Sequence, residues 1–234
     1  MMKLISKIIL FFFVITISIP AQSNGKNFGV SFNINYTSTS KLYLQPNAAD
    51  PFIRNTHLNL DGITSYSFDL RYQISESIII GAGSELIEKT FDSSMNLGGT
   101  RAKMKDGYKM IPIELSVFYL IPFSTERFKF FLGGGFGIYI GEQIRELGDV
   151  TISNESKKIG YGIHVAIGMD YVINDFISVR GQMRSRDPEF EMTSKYSNPV
   201  VNYNDVKYTF PSQTFNSKVN IDGVTFTLGA VINF

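Results

Sequence analysis

Few side chains in this sequence have the types and spacing that catalysis requires. His57 is followed by Asp61 and Ser65, and a histidine near a carboxylate and a hydroxyl could transfer protons or activate a nucleophile. That spacing matches no nucleophile motif. His164 is the second of the two histidines and could act as an acid or base, but a single buried histidine more often has a structural role. We therefore expect no catalytic residue and no enzyme activity.

The residues that hold metals and cofactors are also missing or badly spaced. The chain has no Cys, which removes thiolate ligands, disulfides and Cys nucleophiles together. Its carboxylates and histidines lack metal-ligand spacing, and the run Gly133-Gly134-Gly135 lies inside a strand pattern instead of before a helix. A net charge of +1 gives no reason to expect nucleic acid. The sequence predicts no metal, no cofactor and no nucleic-acid partner.

The first 21 residues have the organisation of a cleaved secretory signal peptide. Lys3 and Lys7 form a basic start, Ile8 to Ile19 an apolar stretch, and Pro20-Ala21 a small-residue cleavage region. The apolar stretch is shorter than the roughly 20 residues that a spanning helix needs. We expect export and a mature domain over residues 22–234 with no helical membrane span.

The mature sequence alternates apolar and polar residues in eight segments, a period of two that predicts strands with one apolar face. In the last segment, Gly223 to Phe234, the apolar positions are Val224, Phe226, Leu228, Ala230, Ile232 and Phe234. The earlier strands begin near Phe28, Tyr66, Ile78, Ile113, Phe128, Tyr161 and Ile177.

The connections between these strands alternate in length. Short turns are predicted at Ser75-Glu76-Ser77, at Pro122 to Glu126 and at Asn174-Asp175-Phe176. The polar stretches 37–62, 91–105, 142–158 and 187–217 are predicted to be long loops. The last of these is aromatic and is the best candidate contact surface, at Tyr196, Tyr203, Tyr208, Phe210 and Phe215. The alternative is that strands seven and eight extend beyond a membrane as a hairpin.

The two faces of the strands distinguish a membrane barrel from a soluble one. A soluble barrel needs a charged exterior, but here the polar face is rich in glycine and the apolar face has no charge at the strand centres. Charged residues are 18% of the chain, below the roughly 25% of soluble domains. Tyrosines near the strand ends are expected to form an interfacial girdle. The apolar face is therefore predicted to contact lipid, and a soluble exported barrel is the alternative.

The opposite face carries charges of both signs that would meet inside the barrel. The predicted interior network consists of Asp69, Arg71, Glu85, Glu114, Lys129, His164, Asp170, Arg180 and Arg184. Side chains alternate between the two faces of a strand, so the length of the third short turn fixes which residues lie opposite each other. With a three-residue turn, Asp170 is opposite Arg180, Ala166 is opposite Arg184 and His164 is opposite Arg186. The interior is either a polar conduit or a filled, hydrogen-bonded core. The filled core is favoured, because eight strands leave room for little more than side chains.

The alternating strands and the terminal Phe234 resemble the small eight-stranded outer-membrane barrels of the outer-membrane protein A, X and W kind. That resemblance implies an all-β, antiparallel, up-and-down transmembrane β-barrel with short periplasmic turns and long extracellular loops in a Gram-negative outer membrane. It also implies contact with outer-membrane lipid and lipopolysaccharide. The barrel assembly machinery would read the last strand through Phe226, Leu228, Ile232 and Phe234. No periplasmic peptidoglycan-binding domain is expected after the barrel.

The expected function is a non-enzymatic, porin-like cell-envelope protein whose surface loops contact a partner that the sequence does not name. One alternative is a narrow conduit for a small or apolar solute, as in the outer-membrane protein W kind. Another is a lipid A-modifying enzyme, because such barrels use a histidine with a serine or an acidic group near the outer leaflet. His57 would then carry the activity.

Overall fold

A computed structural model describes residues 27–157, 159–210 and 214–234, most of which are in strands. The predicted signal peptide over residues 1–21 lies outside the described residues. The elements are β1 Phe28–Tyr43, α1 Pro51–Asn55, β2 His57–Gln73, β3 Ile78–Leu97, β4 Thr100–Leu120, β5 Phe128–Leu147, β6 Val150–Lys157, β7 Gly160–Val172, β8 Ile177–Arg186, β9 Glu189–Tyr196, β10 Val200–Tyr203, β11 Val206–Thr209, β12 Thr214–Asn220 and β13 Val224–Asn233.

Eight of these strands close into an antiparallel barrel. The ring runs β1–β2–β3–β4–β5–β7–β8–β13, and β13 pairs with β1 to complete it. Closure leaves no strand edge with unpaired backbone groups, which is the condition for a sheet to cross hydrocarbon. The prediction of an eight-stranded, antiparallel, up-and-down barrel is confirmed.

The barrel continues past the ends of β7, β8 and β13 at the end opposite the short turns. There the strands pair in the order β5–β6–β9–β12–β1, so that β6, β9 and β12 prolong β7, β8 and β13. The β2–β3 pairing ends at Tyr66–Leu86, so that no backbone ladder joins these two strands in this part. Pro188 lies between β8 and β9, where its missing amide hydrogen fits an interruption of the ladder. This part of the barrel is called the upper barrel below.

The upper barrel changes the predicted loops. Residues 91–105 are a strand hairpin turning at Gly98 and Gly99, and 142–158 and 187–217 are largely strands as well. In the first predicted loop, β1 extends to Tyr43 and β2 begins at His57. The sequence pattern misses these extensions because their outward positions are polar, so that they lack the lipid-facing apolar face that identified the other strands.

The outside of the lower barrel is an apolar belt. Outward side chains such as Phe32, Leu115, Val165 and Leu228 are about 60% exposed, at 60%, 62%, 60% and 63%. Tyr36, Tyr66, Tyr72, Tyr119 and Tyr161 are exposed as well. Hydrocarbon is the environment in which such a continuous apolar surface is stable, so the belt places the barrel in a membrane. Among the described residues, no helix has the length and apolar character to cross one.

Apolar side chains fill the inside at three levels. Phe118, Phe131 and Ala166 pack near the short turns. A larger cluster fills the middle, around Leu42, Ile63, Ile87, Tyr108, Met110, Tyr139, Phe190, Met192, Val219 and Ile221. A third cluster fills the mouth, around Leu97, Met104, Leu147, Tyr196, Val201 and Phe210.

The hairpin of β10 and β11 covers the mouth of the upper barrel. Its Val201 and the following Phe210 are buried, and the Phe210 ring stacks on Tyr196 with centroids 4.0 Å apart. Tyr203, Tyr208 and Phe215 pack against the same cluster. The predicted contact surface is therefore wrong for Tyr196 and Phe210, which are buried, whereas Tyr203, Tyr208 and Phe215 are half-buried. The alternative of strands extended beyond the membrane describes the structure.

One ladder of the barrel is interrupted within the belt. The β3–β4 pairing stops at Ser84–Ile113 and resumes at Ile87–Met110 with its register unchanged. Pro112 lies in the gap and has no amide hydrogen to donate. The Ser84 hydroxyl donates to the Pro112 carbonyl at 2.9 Å and bridges part of the break.

Candidate functional site in the barrel interior

The part of the interior nearest the short turns holds a cluster centred on Arg180. Its Nε and Nη2 donate to the two carboxylate oxygens of Asp170 at 2.7 and 2.8 Å, and its Nη1 donates to Asp69 at 2.9 Å. Arg71 donates to Asp69 from Nε at 3.1 Å and to Gln182 from Nη2 at 2.7 Å. Each carboxylate thus meets at least one guanidinium, which removes most of the cost of an unpaired buried charge.

Strand register explains why these groups meet. Asp170 and Arg180 are directly opposite on β7 and β8, and His164 is opposite Arg186, as parity predicted. Asp69 reaches the cluster from β2, where the Ser31 hydroxyl and the Asn33 amide on neighbouring β1 also donate to it, at 2.5 and 2.8 Å. Inward side chains from several strands therefore converge because the barrel is narrow.

A second cluster lies further from the short turns. Arg184 donates to Glu114 at 2.5 Å and to Glu85 at 2.6 Å. Arg186 donates to Glu85 at 2.9 and 3.2 Å and to Glu114 at 3.3 Å. The two arginines and two glutamates form a closed arrangement in which every member has two partners. Ser65 completes it by donating to Glu85 at 2.5 Å.

His164 and Tyr139 lie at the border of the second cluster. His164 shares a 2.9 Å hydrogen bond with Ser116 through Nε2, and its Nδ1 has no partner among the described residues. The Tyr139 hydroxyl donates to Glu114 at 2.9 Å. Lys129, the remaining residue of the predicted network, is opposite Asp170 in the β5–β7 register, but Arg180 occupies both oxygens of that carboxylate.

Sequence reasoning left Arg186 out of the predicted network, although at 2% exposure it is the most buried charged residue of the two clusters. It continues the alternation of Arg180 and Arg184 on β8, so that parity alone could have included it. The prediction also left out four neutral polar residues, Gln182, Ser31, Asn33 and Ser65. Their residue types alone do not show that they belong to a hydrogen-bond network.

The charges of the two clusters balance. Four arginines, Arg71, Arg180, Arg184 and Arg186, meet four carboxylates, Asp69, Asp170, Glu85 and Glu114. Two cavities of about 40 and 30 Å³ remain between them, enough for a few water molecules each. Aromatic rings close the turn end, where the Arg71 guanidinium lies 4.0 Å from the Phe118 ring centre.

A further buried ion pair lies above the belt, between the middle and mouth clusters. Arg145 on β5 donates to Asp106 on β4 and, at 3.3 Å, to the Tyr196 hydroxyl. Gln143 donates to the same aspartate at 3.0 Å. Burial disfavours the charged form of Arg145, but the charge of Asp106 outweighs it and the pKa of Arg145 is raised. This pair was not predicted, because Arg145 lies in the segment 142–158 interpreted as a loop and Asp106 lies before the predicted start of the fourth strand.

The residues considered for catalysis are not brought together. His57 begins β2 and its Nδ1 contacts the Asn55 carbonyl at 2.9 Å, while Ser65 donates to Glu85 inside the barrel. The eight residue steps from His57 to Ser65 span roughly 26 Å of extended strand. Within the described ranges, no group of three or more His, Asp or Glu side chains could hold a metal ion.

The terminal strand presents its predicted assembly residues to the outside. Phe226, Leu228, Ile232 and Phe234 are exposed at 51%, 63%, 41% and 61%. Both neighbours of this strand are antiparallel, and the amide of Phe28 on β1 donates to the Phe234 carbonyl at 3.4 Å.

Comparison with known proteins was made at the level of sequence and of structure. No protein-family model matches the chain, and no curated protein matches its sequence. Outer membrane protein OprG from Pseudomonas aeruginosa superposes with a TM-score of 0.64 at 14% identity, over 90% of this chain and 96% of OprG. The chain has the fold of the small eight-stranded outer-membrane β-barrels.

Two further barrels of this fold show similar coverage at lower structural similarity. Outer membrane protein AlkL matches 93% of this chain and 95% of its own at 17% identity, with a TM-score of 0.49. Neisserial surface protein A matches 88% and 97% at 12% identity, with a TM-score of 0.48. This outer-membrane barrel fold and the apolar belt together locate the protein in the outer membrane. Short turns of bacterial outer-membrane barrels face the periplasm, so the upper barrel faces the outside.

Proposed function

We propose that this protein is a non-enzymatic outer-membrane barrel that holds a rigid upper barrel above the membrane for contacts at the cell surface. The filled interior carries this proposal. Two ion-pair clusters, the middle apolar cluster and the mouth cluster follow one another along the barrel axis. A conducting pore would need a continuous aqueous path through all of them.

The upper barrel supports a contact role because its rigidity comes from packing that a loop would lack. Its strands pair in sequence from β3 through β4, β5, β6, β9, β12 and β1 to β2, and the Asp106–Arg145 pair lies inside it with 0% and 6% side-chain exposure. A pre-organised surface loses little conformational entropy on binding, which favours affinity for a partner. Lipopolysaccharide surrounds an upper barrel of this kind and is the first partner that it would meet.

Single-channel recording in planar bilayers tests this proposal. We expect no steady current from the purified barrel, because charged and apolar side chains fill the lumen. The double variant Arg184→Ala and Arg186→Ala is compared with the unmodified protein. It removes two guanidinium groups from one cluster and should raise the frequency of transient openings. A steady, ohmic current through the unmodified protein would refute the proposal.

A second candidate function is a conduit for a small apolar solute, and the interrupted β3–β4 ladder favours it. The gap at Pro112 lies within the belt, beside Ile87 and Met110 of the middle apolar cluster. A solute could pass between this cluster and the membrane without crossing the ion-pair clusters. Pro112→Ala restores an amide donor, and it should slow uptake of an apolar probe into whole cells if this route is used. Unchanged uptake would remove this candidate.

A lipid A-modifying activity has weaker support, since His57 and Ser65 occupy distant positions on one strand. Lipid A from cells that overproduce the protein provides the test. We expect the same lipid A species with the unmodified protein, with His57→Ala and without the protein. A new species that disappears in His57→Ala would establish an enzyme and refute a non-enzymatic role.

A further inference from the structure

The outward face of β4 carries a row of cations directly above the apolar belt. Arg101, Lys103, Lys105 and Lys109 occupy outward positions, with Gly107 in place of a cation between the last two. Ile111, the next outward residue, is the first of the belt and 42% exposed. The intervening Ala102, Met104, Asp106 and Tyr108 are buried inside the upper barrel. The row is therefore fixed in direction by the packing of the inward face.

The neighbouring strands compensate only part of this row. Lys109 lies between Glu88 on β3 and Glu142 on β5, and Lys105 lies between Asp92 and Glu146. These cations have carboxylates on both sides.

Arg101 and Lys103 have a different environment. Across β3 they are opposite Asn96 and Ser94, and the β4–β5 ladder ends below them at Met104–Leu147. Both side chains are exposed. These two cations thus have no carboxylate directly across the strand ladder.

A surface groove of about 670 Å³ lies at this point and is called the β4 groove. Its lining consists of Asp92, Ser93, Ser94, Arg101, Lys103, Met104 and Lys105. Three cations and one carboxylate give this lining a formal charge of +2. Arg101 is held in place by a 2.7 Å hydrogen bond from its Nε to the Ser94 hydroxyl, which leaves the terminal nitrogens of its guanidinium free to bind.

We propose that the β4 groove binds a saccharide that carries phosphate groups, an inference that rests on the surface-contact function proposed above and names its ligand. A guanidinium presents paired N–H donors that match phosphate oxygens, and ammonium groups add charge. Outward cations on alternate positions are about 7 Å apart along a strand, so that one extended anionic chain can contact several of them.

The cations lie at the distance above the belt at which such a ligand would be found. With a rise of about 3.3 Å per residue and a tilt near 40°, Lys105 lies roughly 15 Å and Arg101 roughly 25 Å above Ile111. Sugars attached to lipids of the outer leaflet occupy this region, and a free saccharide could enter it from the medium. Both sources share the same phosphate chemistry.

Binding measurements on the full barrel in nanodiscs test the proposal. The first arm titrates phospholipid nanodiscs with a soluble, phosphorylated core oligosaccharide and with its dephosphorylated form. The second arm uses nanodiscs that contain lipopolysaccharide with the same core, and native mass spectrometry counts the molecules retained. The test variant is Arg101→Gln with Lys103→Gln. The control, Arg54→Gln with Lys207→Gln, removes the same charge from exposed positions elsewhere.

We expect about a fivefold loss of affinity for each groove cation removed, and so roughly 25-fold for the double variant. The control should bind as the unmodified protein, and Asp92→Asn should bind more tightly. A loss in the lipopolysaccharide arm identifies the leaflet as the source, and a loss in the soluble arm alone identifies a free saccharide. Equal binding by test and control variants in both arms overturns the proposal. The surface-contact function would stand in that case, because the results that refute it are a steady current and a change of lipid A that depends on His57.

Discussion

Arg180 and Asp170 form a two-point ion pair inside the barrel, with Nε–Oδ1 and Nη2–Oδ2 distances of 2.7 and 2.8 Å. The pair joins β7 to β8 just above their periplasmic turn. Arg180 also donates to Asp69 on β2, across the lumen from its own strand. One side chain therefore ties three strands together at a level where a slip of register would leave charges buried without partners.

Replacing Arg180 tests how much this arrangement stabilises the barrel. Arg180→Met leaves the half-buried Asp170 without its guanidinium, and breaking a fully buried pair costs about 3–5 kcal/mol, which is the upper bound here. Urea-induced unfolding in lipid vesicles measures the change. Lys129→Met is the matched control, since Lys129 faces the same carboxylate without forming the two-point pair. If both variants lower the free energy of unfolding by the same amount, Arg180 does not stabilise the barrel through its two-point pair with Asp170.

Arg184 and Arg186 should act together, because both bind Glu85 and Glu114. The single variants Arg184→Met and Arg186→Met should each destabilise the barrel, and the double variant by less than their sum. A coupling of about 0.5–3 kcal/mol is expected for residues that share partners. A double-mutant cycle by urea unfolding gives this value. Strict additivity would mean that the two arginines do not share the glutamates.

Close packing of the middle cluster should make Gly141 intolerant of a side chain. A Cβ at this position would overlap a ring carbon of Phe190, which is buried. Gly141→Ala is therefore expected to destabilise the barrel by about 1–3 kcal/mol through overpacking. Adding Phe190→Leu should recover part of the loss. If Gly141→Ala has no effect on unfolding, the upper barrel is not filled at this level.

The β10–β11 hairpin should depend on one aromatic stack. Phe210→Ala removes the ring that lies parallel to Tyr196, and truncating a buried Phe costs about 3–5 kcal/mol where the site does not collapse. We expect faster proteolysis of the hairpin in intact cells, with the membrane-embedded barrel left whole. Val206→Ala is the control, because Val206 is 50% exposed on the same hairpin. Equal proteolysis in both variants would show that the stack does not hold the hairpin.

The sequence predicted the membrane part of the fold well because lipid requires apolar side chains on the outer face of every strand. Phe226 and Leu228 must face outward and Thr227 inward, and such alternation is visible in the residue types alone. Register across the third turn followed from the same parity, which is why Asp170 and Arg180 could be matched before any coordinates.

The upper barrel was not predicted, because strands that face water do not need apolar side chains on their outer face. Outward Lys103 and Lys105 are as common in loops as in exposed strands, so their alternation with Ala102 and Met104 was read as a loop. The burial of Tyr196 and Phe210 was missed for the same reason. The sequence does not show whether an aromatic residue in a predicted loop packs against a buried cluster.

The chain has no Cys, so single-cysteine spin labels along β13 can show directly which face meets lipid. Labels at positions 226, 227, 228 and 229 are compared for collision with oxygen, which concentrates in hydrocarbon, and with a nickel chelate, which stays in water. We expect high oxygen accessibility at 226 and 228 and low accessibility at 227 and 229. If 226 and 228 are shielded from oxygen and their neighbours are open to the chelate, the apolar face is a core and the protein is not a membrane barrel.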